Sequence, residues 1–309
     1  MDHVRWLARP TLHRPTIIAA FTGWNDAGDA ASNSVRHLIE AWNAQPLAEI
    51  DPEEFTDFAT VRPHVRLSAG MTRSIVWPTV GLWSASTPGG DVILLLGPEP
   101  ALRWRLFSEQ VVAAATKFEA SMLLTLGALL ADVPHSRPVQ LMGTATDQSM
   151  IDRFDLQRSR YEGPTGIVGV LHDAFANHDL ASASLWAAVP AYASQVPSPK
   201  AALALVERSC EMLGCPAPTA RLVADAGEYD ARVSAFVGDD DDLIGYVSRL
   251  ESLADSGALD GDDDEDADED DEAVEVEVEE VNSIDDPELN SDELMAEVER
   301  FLRDQGGSP

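Results

Sequence analysis

The chain has 309 residues and a net charge of −33, with 54 acidic and 21 basic side chains. Hydrophobic residues make up 45% of it, which is enough for a folded core and excludes a fibrous or wholly disordered protein. Its uninterrupted apolar runs are about five residues long, whereas a membrane span needs roughly 20. No apolar stretch follows the basic residues near the N-terminus, so we expect no secretory signal and a cytoplasmic location.

The acidic charge is concentrated towards the C-terminus. Residues 255–309 have a net charge of −22, whereas residues 1–254 have a net charge of −11. Because so acidic a chain repels phosphate backbones, nucleic acid is excluded as a partner. The composition predicts one α/β domain over 1–255 and an acidic disordered linker over 256–287. An apolar stripe at helical spacing predicts an amphipathic helix over 288–305 that docks on the protein's own oligomer or is recognised by a different protein.

Buried strands alternate with helices through the first domain. The strands are predicted at 15–22, 91–96, 121–127, 139–144 and 182–189. The helices are predicted at 27–42, 101–118, 128–132, 167–177 and 199–213, with two more in 217–254. Proline-punctuated segments predict shorter or edge strands at 60–67, 73–77 and 79–86. This order predicts an α/β fold with a mostly parallel or mixed sheet flanked by helices.

A glycine-containing segment, 23–28, lies where the first of these strands meets its helix. Its glycine spacing is similar to that of a phosphate-binding loop, but Asp29 and Ala30 occupy the positions where that loop needs Lys and Ser or Thr. Carboxylates at a helix N-terminus repel phosphate, so nucleotide binding is rejected here. Either the segment is a tight turn in which Asp26, Asp29 or Ser32 caps the helix, or it lines a cleft.

Two other segments place polar side chains beyond predicted strands. Glu99 lies between two prolines at a strand's carboxyl end, where open α/β sheets place ligand sites. Arg103 or Arg105 could pair with Glu99, and the alternative is a rigid turn with a surface ion pair. Residues 134–138 present His135 and Arg137. An isolated histidine is more often a hydrogen-bonded structural residue than a catalyst.

No motif in the sequence specifies a reaction. The nucleophile elbow, the zinc-protease motif and the dinucleotide-binding glycine motif are all missing. Cys210 and Cys215 have no other Cys or His at ligand spacing. We therefore predict no catalytic residue, no metal site and no cofactor.

Taken together, the loops resemble the second proteasome assembly chaperone family, in particular its actinobacterial branch. The matching segments occur in order over about residues 15–255, namely Phe21–Ala30, Glu49–Phe58, Arg62-Pro63, Gly97–Pro100 with Arg103-Trp104, Pro134–Pro138, Tyr161–Gly166, Leu185–Tyr192 and Pro199–Ala201. The resemblance implies a fold like that of nucleoside phosphorylases and peptidyl hydrolases. It also implies a homo-oligomer, a trimer, and a role in the assembly of proteasome subunits or other proteins.

Two functions remain open on this basis. The first is a non-enzymatic interaction or assembly protein, and the alternative is an enzyme or small-ligand binder with a cleft at the strand carboxyl ends. The candidate cleft or interaction residues are Gly23, Trp24, Asn25, Asp26, Gly28, Glu99, Trp104, Arg105, His135, Arg137, Gly163, Thr165, Trp186 and Tyr192. Convergence of such side chains in one pocket would favour the enzyme, whereas scatter or a subunit interface would favour the interaction protein.

Overall fold

A computed structural model describes residues 3–68 and 72–257. The chain divides into two units, residues 1–261 and 262–309, and the described residues all belong to the first. The predicted linker over 256–287 and the predicted helix over 288–305 therefore lie outside the described residues, apart from positions 256 and 257.

The described residues form ten strands and seven α-helices. The strands are β1 (Val4–Trp6), β2 (Thr16–Thr22), β3 (Gln45–Ile50), β4 (His64–Ser68), β5 (Thr72–Val76), β6 (Val80–Thr87), β7 (Gly90–Pro98), β8 (Met122–Ala131), β9 (Leu141–Ala145) and β10 (Ser182–Pro190). The helices are α1 (Ala30–Ala41), α2 (Trp104–Lys117), α3 (Gln148–Phe154), α4 (Ile167–Ala176), α5 (Pro199–Leu213), α6 (Ala220–Gly238) and α7 (Asp241–Asp255). None of these helices is both long and apolar enough to cross a membrane.

Eight of the strands form one mixed sheet in the order β1-β3-β6-β7-β2-β8-β10-β9. The centre is parallel, since β2 pairs in parallel with β7 and β8, and β8 with β10. On one side the sheet continues antiparallel through β6, β3 and β1, and on the other β9 pairs antiparallel with β10. The predicted α/β fold, with a mixed sheet flanked by helices, is confirmed.

Strand β2 shows how the sequence builds a core on both faces of the sheet. Ile18 and Ala20 belong to one apolar layer, whereas Ile17, Ala19 and Phe21 belong to the other, because successive side chains of a strand point to opposite faces. Residues of α1, α3 and α5 complete the first layer, and residues of α2 and α4 complete the second. The parallel strands are therefore buried on both sides, with their carboxyl ends at one edge of this body.

The sequence interpretation was wrong at 128–132 and incomplete elsewhere, since it also missed helix α3. Residues 128–132, predicted as a helix, continue strand β8 to Ala131, because a short apolar run does not distinguish a buried strand from a buried helix. Strands β1 and β3 were not predicted, and β3 contains Pro46 beside a β-bulge, where a proline is tolerated. Helices α5, α6 and α7 lie where the sequence predicts them.

Strands β4 and β5 form a separate two-stranded antiparallel sheet, the β4–β5 hairpin. Val65 pairs with Ile75 and Leu67 with Arg73, so these four side chains share one face of the hairpin. Val65, Leu67 and Ile75 are 53%, 59% and 51% exposed. This face presents apolar surface to solvent, in contrast to the main sheet.

Candidate functional site

Glu99 joins three segments at the carboxyl ends of β2 and β7. One oxygen, Oε1, accepts a hydrogen bond from Asn25 Nδ2 at 2.8 Å and another from the Ile167 backbone N–H at 2.8 Å. The Glu99 N–H in turn donates to the carbonyl of Thr22 at 2.9 Å. Because Ile167 is the first residue of α4, the carboxylate also supplies the negative charge that a helix N-terminus favours. Glu99 therefore holds the loops after both strands against the start of α4.

Glycine is required where these segments meet. A Cβ atom at Gly166 would lie 2.6 Å from Asn25 Oδ1 and 2.7 Å from Glu99 Oε1, which is closer than such atoms approach. Gly28 has a φ of +57°, a left-handed conformation that glycine adopts without strain. The Gly28 carbonyl accepts a hydrogen bond from the Ser198 N–H at 2.7 Å, which ties this loop to the start of α5. We did not single out Gly166 from the sequence, although it ends the matching segment Tyr161–Gly166.

Asp26 is a buried carboxylate of the same loop and is 6% exposed. Its Oδ1 accepts a hydrogen bond from the Ser32 N–H at 3.0 Å, so of the three residues considered as caps for α1, Asp26 is the one whose side chain binds a first-turn amide. Its Oδ2 has no hydrogen-bond partner among the described residues. Burial raises the pKa of the Asp26 carboxyl above its ordinary value. The carboxylate belongs to the turn and the helix start.

A second polar cluster surrounds His135 at the ends of β8 and β10. Tyr192 Oη lies 2.7 Å from the His135 backbone N and 2.8 Å from its Nδ1, and Ser234 Oγ lies 2.9 Å from its Nε2. Lys200 donates to the His135 carbonyl and pairs with Asp230 at 3.0 Å. His135 is 5% exposed, and burial lowers its pKa below the ordinary value. These contacts connect the loop after β8 to α5 and α6.

Arg137 extends this second cluster to α7. Its guanidinium donates to both carboxylate oxygens of Asp255, at 2.7 and 2.8 Å, and lies 3.4 Å from Glu251. The Asp255 hydrogen bonds raise the pKa of Arg137, and Arg137 lowers the pKa of Asp255. Tyr246 Oη donates to Asp132 at 2.7 Å. His135 and Arg137 thus face α6 and α7.

The remaining candidates do not join either cluster. Trp24 is 66% exposed, and Arg105, Gly163 and Thr165 are also exposed. The Trp104 indole donates to the Pro100 carbonyl. Trp186 is half-buried, and a Cβ at Gly127 would meet its ring at 2.6 Å.

The predicted pairing of Glu99 with Arg103 or Arg105 is wrong. Arg103 forms an ion pair with Glu54 instead, while Glu99 binds the amides of Asn25 and Ile167. Arg103 has a φ of +51°, and this left-handed residue turns the chain into α2. The turn carries the Arg103 side chain to Glu54. The prediction was based on the closeness of Glu99 and Arg103 in the sequence, which does not place their side chains together.

Two cavities of the described structure do not gather the candidate residues. A cavity of about 10 Å³ adjoins His135, Arg137 and Lys200, which is room for about one water molecule. A groove of about 310 Å³ lies between α1 and α6, is lined by charged residues including Arg36 and Arg232, and contains none of the candidates. In the described part of the chain, no group of three or more His, Cys, Asp or Glu side chains could hold a metal ion. Around Glu99 and His135, the geometry therefore shows loops held together by polar contacts.

Comparison with known proteins agrees with this fold. The PAC2 family model matches residues 20–237. A PAC2 family protein from Streptomyces avermitilis is 41% identical, with a TM-score of 0.70, and the match covers 75% of this chain and 99% of that one. A proteasome-assembly chaperone homologue from Mycobacterium tuberculosis is also 41% identical, with a TM-score of 0.69 and the same coverage of both chains.

More distant structures share the fold alone. An archaeal proteasome activator from Pyrococcus furiosus is 16% identical, with a TM-score of 0.63, and the match covers 76% of this chain and 99% of that one. No functionally curated protein matches the chain. With the family model covering well over half of its residues, the chain belongs to the PAC2 family.

Proposed function

We propose that the chain is a non-enzymatic interaction or assembly protein that acts on proteasome subunits. The observation that carries this proposal is the 41% identity, over 99% of the relative's length, to a mycobacterial proteasome-assembly chaperone homologue. The proposal retains the cytoplasmic location and the organisation expected from the sequence, a domain over 1–255, a linker over 256–287 and a helix over 288–305.

The arrangement of the candidate residues supports an interaction protein over the alternative enzyme. Glu99 uses one carboxylate oxygen to hold Asn25 and the start of α4, and His135 is held by Tyr192 and Ser234. Side chains engaged in this way fix the shape of loops. A rigid set of loops that exposes Trp24 suits protein recognition, because large aromatic side chains contribute strongly to protein interfaces.

We also propose that the protein associates with copies of itself through the β4–β5 hairpin. An isolated two-stranded hairpin is at best marginally stable in water, and apolar patches on a protein surface mark interaction sites. Val65, Leu67 and Ile75 place three half-exposed apolar side chains on one face of this hairpin. A partner covering that face would supply the burial that the hairpin's own chain does not.

The charge of the hairpin favours a second copy of this chain as that partner. Residues 58–90 contain Arg62, Arg66 and Arg73 and no acidic residue, although the whole chain has a net charge of −33. The hairpin region is therefore basic within an acidic protein, and the acidic surface of another copy has the opposite charge. Complementary charge of this kind guides association and fixes which surfaces meet.

The test of the assembly function is affinity purification of the tagged, full-length protein from its native organism. The proposal predicts reproducible recovery of 20S proteasome subunits, identified by mass spectrometry. A matched variant, Trp24→Ala, should recover less of them while keeping the same thermal unfolding midpoint. Recovery of no proteasome subunit, together with thermal stabilisation of the protein by a metabolite, would instead support the ligand-binding alternative.

A further inference from the structure

Helices α6 and α7, here called the α6–α7 pair, are held to the rest of the protein by a small apolar contact. The buried apolar residues of that contact are Ala193, Tyr229, Val233, Val237 and Val247, with Leu222 packing on a main layer. The two main layers of the sheet are several times larger among the described residues. Local opening requires least free energy where few apolar groups are buried, so polar contacts matter more for this pair than for the sheet.

Both ring nitrogens of His135 have hydroxyl partners. The His135 backbone N–H donates to Tyr192 Oη at 2.7 Å, and the same hydroxyl pairs with His135 Nδ1 at 2.8 Å. Ser234 Oγ of α6 pairs with His135 Nε2 at 2.9 Å. A neutral imidazole has one donor nitrogen and one acceptor nitrogen, so one of the two hydroxyls accepts from the ring and the other donates to it. Burial raises the pKa of Tyr192 to about 12, so its hydroxyl keeps its proton at neutral pH.

We propose that His135 is a proton-sensitive latch that holds the α6–α7 pair on the protein while neutral and releases it when protonated. A second ring proton would make both nitrogens donors, so the hydroxyl that donates to the neutral ring would lose its acceptor. The added positive charge would lie on a residue that is only 5% exposed. It would also lie beside the Lys200 ammonium, which donates to the His135 carbonyl. In the released state water would solvate the charged ring, so protons favour release.

The charged groups around His135 come from every element packed on it. Lys200 lies on α5, Asp230 on α6 and Glu251 on α7, and the two carboxylates partly offset the effect of burial on the His135 pKa. Arg137 is on the same loop as His135 and pairs with Glu251 and Asp255.

Two other contacts near α6 and α7 have less reason to respond to acid. Arg137 lowers the pKa of Asp255, which favours their ion pair as the pH falls. His37 donates to the Pro218 carbonyl just before α6, and an imidazole can donate this hydrogen bond in either charge state. The response of the α6–α7 pair is therefore assigned to His135.

Hydrogen exchange of the full-length protein at pH 5.5, 6.5 and 7.5, corrected for intrinsic exchange rates, tests this latch. One proton per opening allows the opening constant of α6–α7 amides to rise at most tenfold per pH unit below about 6.5. We expect a rise of several-fold between pH 6.5 and 5.5 in the opening constant of the α6–α7 amides of the wild-type protein. His135→Gln, which retains an acceptor and a donor, should remove the rise.

Two matched variants serve as controls. His178→Gln changes an exposed histidine on α4 that lies 3.6 Å from Glu109, and His37→Gln removes the other histidine that contacts the segment before α6. Both should retain the wild-type pH response. The absence of any rise in α6–α7 of the wild-type protein would overturn the proposal without any variant, as would a response that persists in His135→Gln.

Discussion

The main sheet and the β4–β5 hairpin both present apolar strand faces, with opposite outcomes. In β2, Ile17 and Ile18 are fully buried because helices cover both faces of the sheet. In the antiparallel hairpin, Val65 and Ile75 pair across the strands but are half-exposed. The difference shows that an apolar strand face indicates a demand for burial, which the sheet meets within the chain. The hairpin meets it, in our account, against a second copy.

The largest expected effect separates these two regions directly. Phe107→Ala removes a buried ring that packs edge to face on Phe21 and Phe55, and should lower the free energy of unfolding by about 3–5 kcal/mol. Leu67→Ala in the hairpin should change it by only about 0.5 kcal/mol at protein concentrations where the chain is monomeric. Chemical denaturation at low protein concentration measures both. Equal losses would mean that the hairpin side chain is buried within its own chain.

Acid should act on the sheet through His172. Its Nε2 lies 2.9 Å from Thr125 Oγ1 of β8 and its Nδ1 lies 2.8 Å from Ser182 Oγ of β10, and burial lowers its pKa to about 4. Because the folded pKa lies below the unfolded value of about 6.5, the neutral ring contributes stability above pH 6.5 that is lost as the pH falls towards 4. The difference corresponds to at most about 3 kcal/mol.

Denaturation of the wild-type protein and of His172→Gln at pH 7 and pH 4.5 measures this contribution. The wild-type protein should lose more stability than the variant over that range. An identical loss in both proteins would show that protonation of His172 does not limit stability in acid.

The Glu99 contacts should have a smaller effect, local to the candidate site. Glu99→Ala leaves Asn25 Nδ2 and the Ile167 N–H without their acceptor and should cost about 2 kcal/mol. Glu99→Gln keeps a carbonyl oxygen at that position and should cost less. Hydrogen exchange at the start of α4 should accelerate in the alanine variant, and unchanged exchange there would contradict the role given to this carboxylate.

The smallest effect is expected at the exposed ion pair of Arg221 with Glu40, which are 2.9 Å apart. Their side chains are mostly exposed, and exposed pairs contribute little because water and salt screen them. Arg221→Gln should change the free energy of unfolding by about 0.5 kcal/mol or less. A loss as large as that of Glu99→Ala would mean that this contact is important for holding α6.

The sequence predicts the main strands and helices because long apolar runs with turn residues at their ends are unambiguous. It does not separate a strand from a helix at 128–132, where β8 simply continues. Asn25 and Glu99 were both candidates, but the other donor to Glu99, the Ile167 amide, is 68 residues away and a backbone group carries no sequence signal. The separation of the β4–β5 hairpin from the main sheet likewise depends on the path of the chain and leaves no local pattern.

Sedimentation equilibrium over a range of protein concentrations tests most directly whether the hairpin is an interface between copies. The account predicts that the wild-type protein is an oligomer and that a variant with Val65, Leu67 and Ile75 all changed to Ser is a monomer with unchanged circular dichroism. His64→Ser with Val76→Ser, a pair on the opposite face of the same strands, should remain oligomeric. A wild-type monomer at micromolar concentration, or an oligomer that persists in the triple variant, would contradict the account.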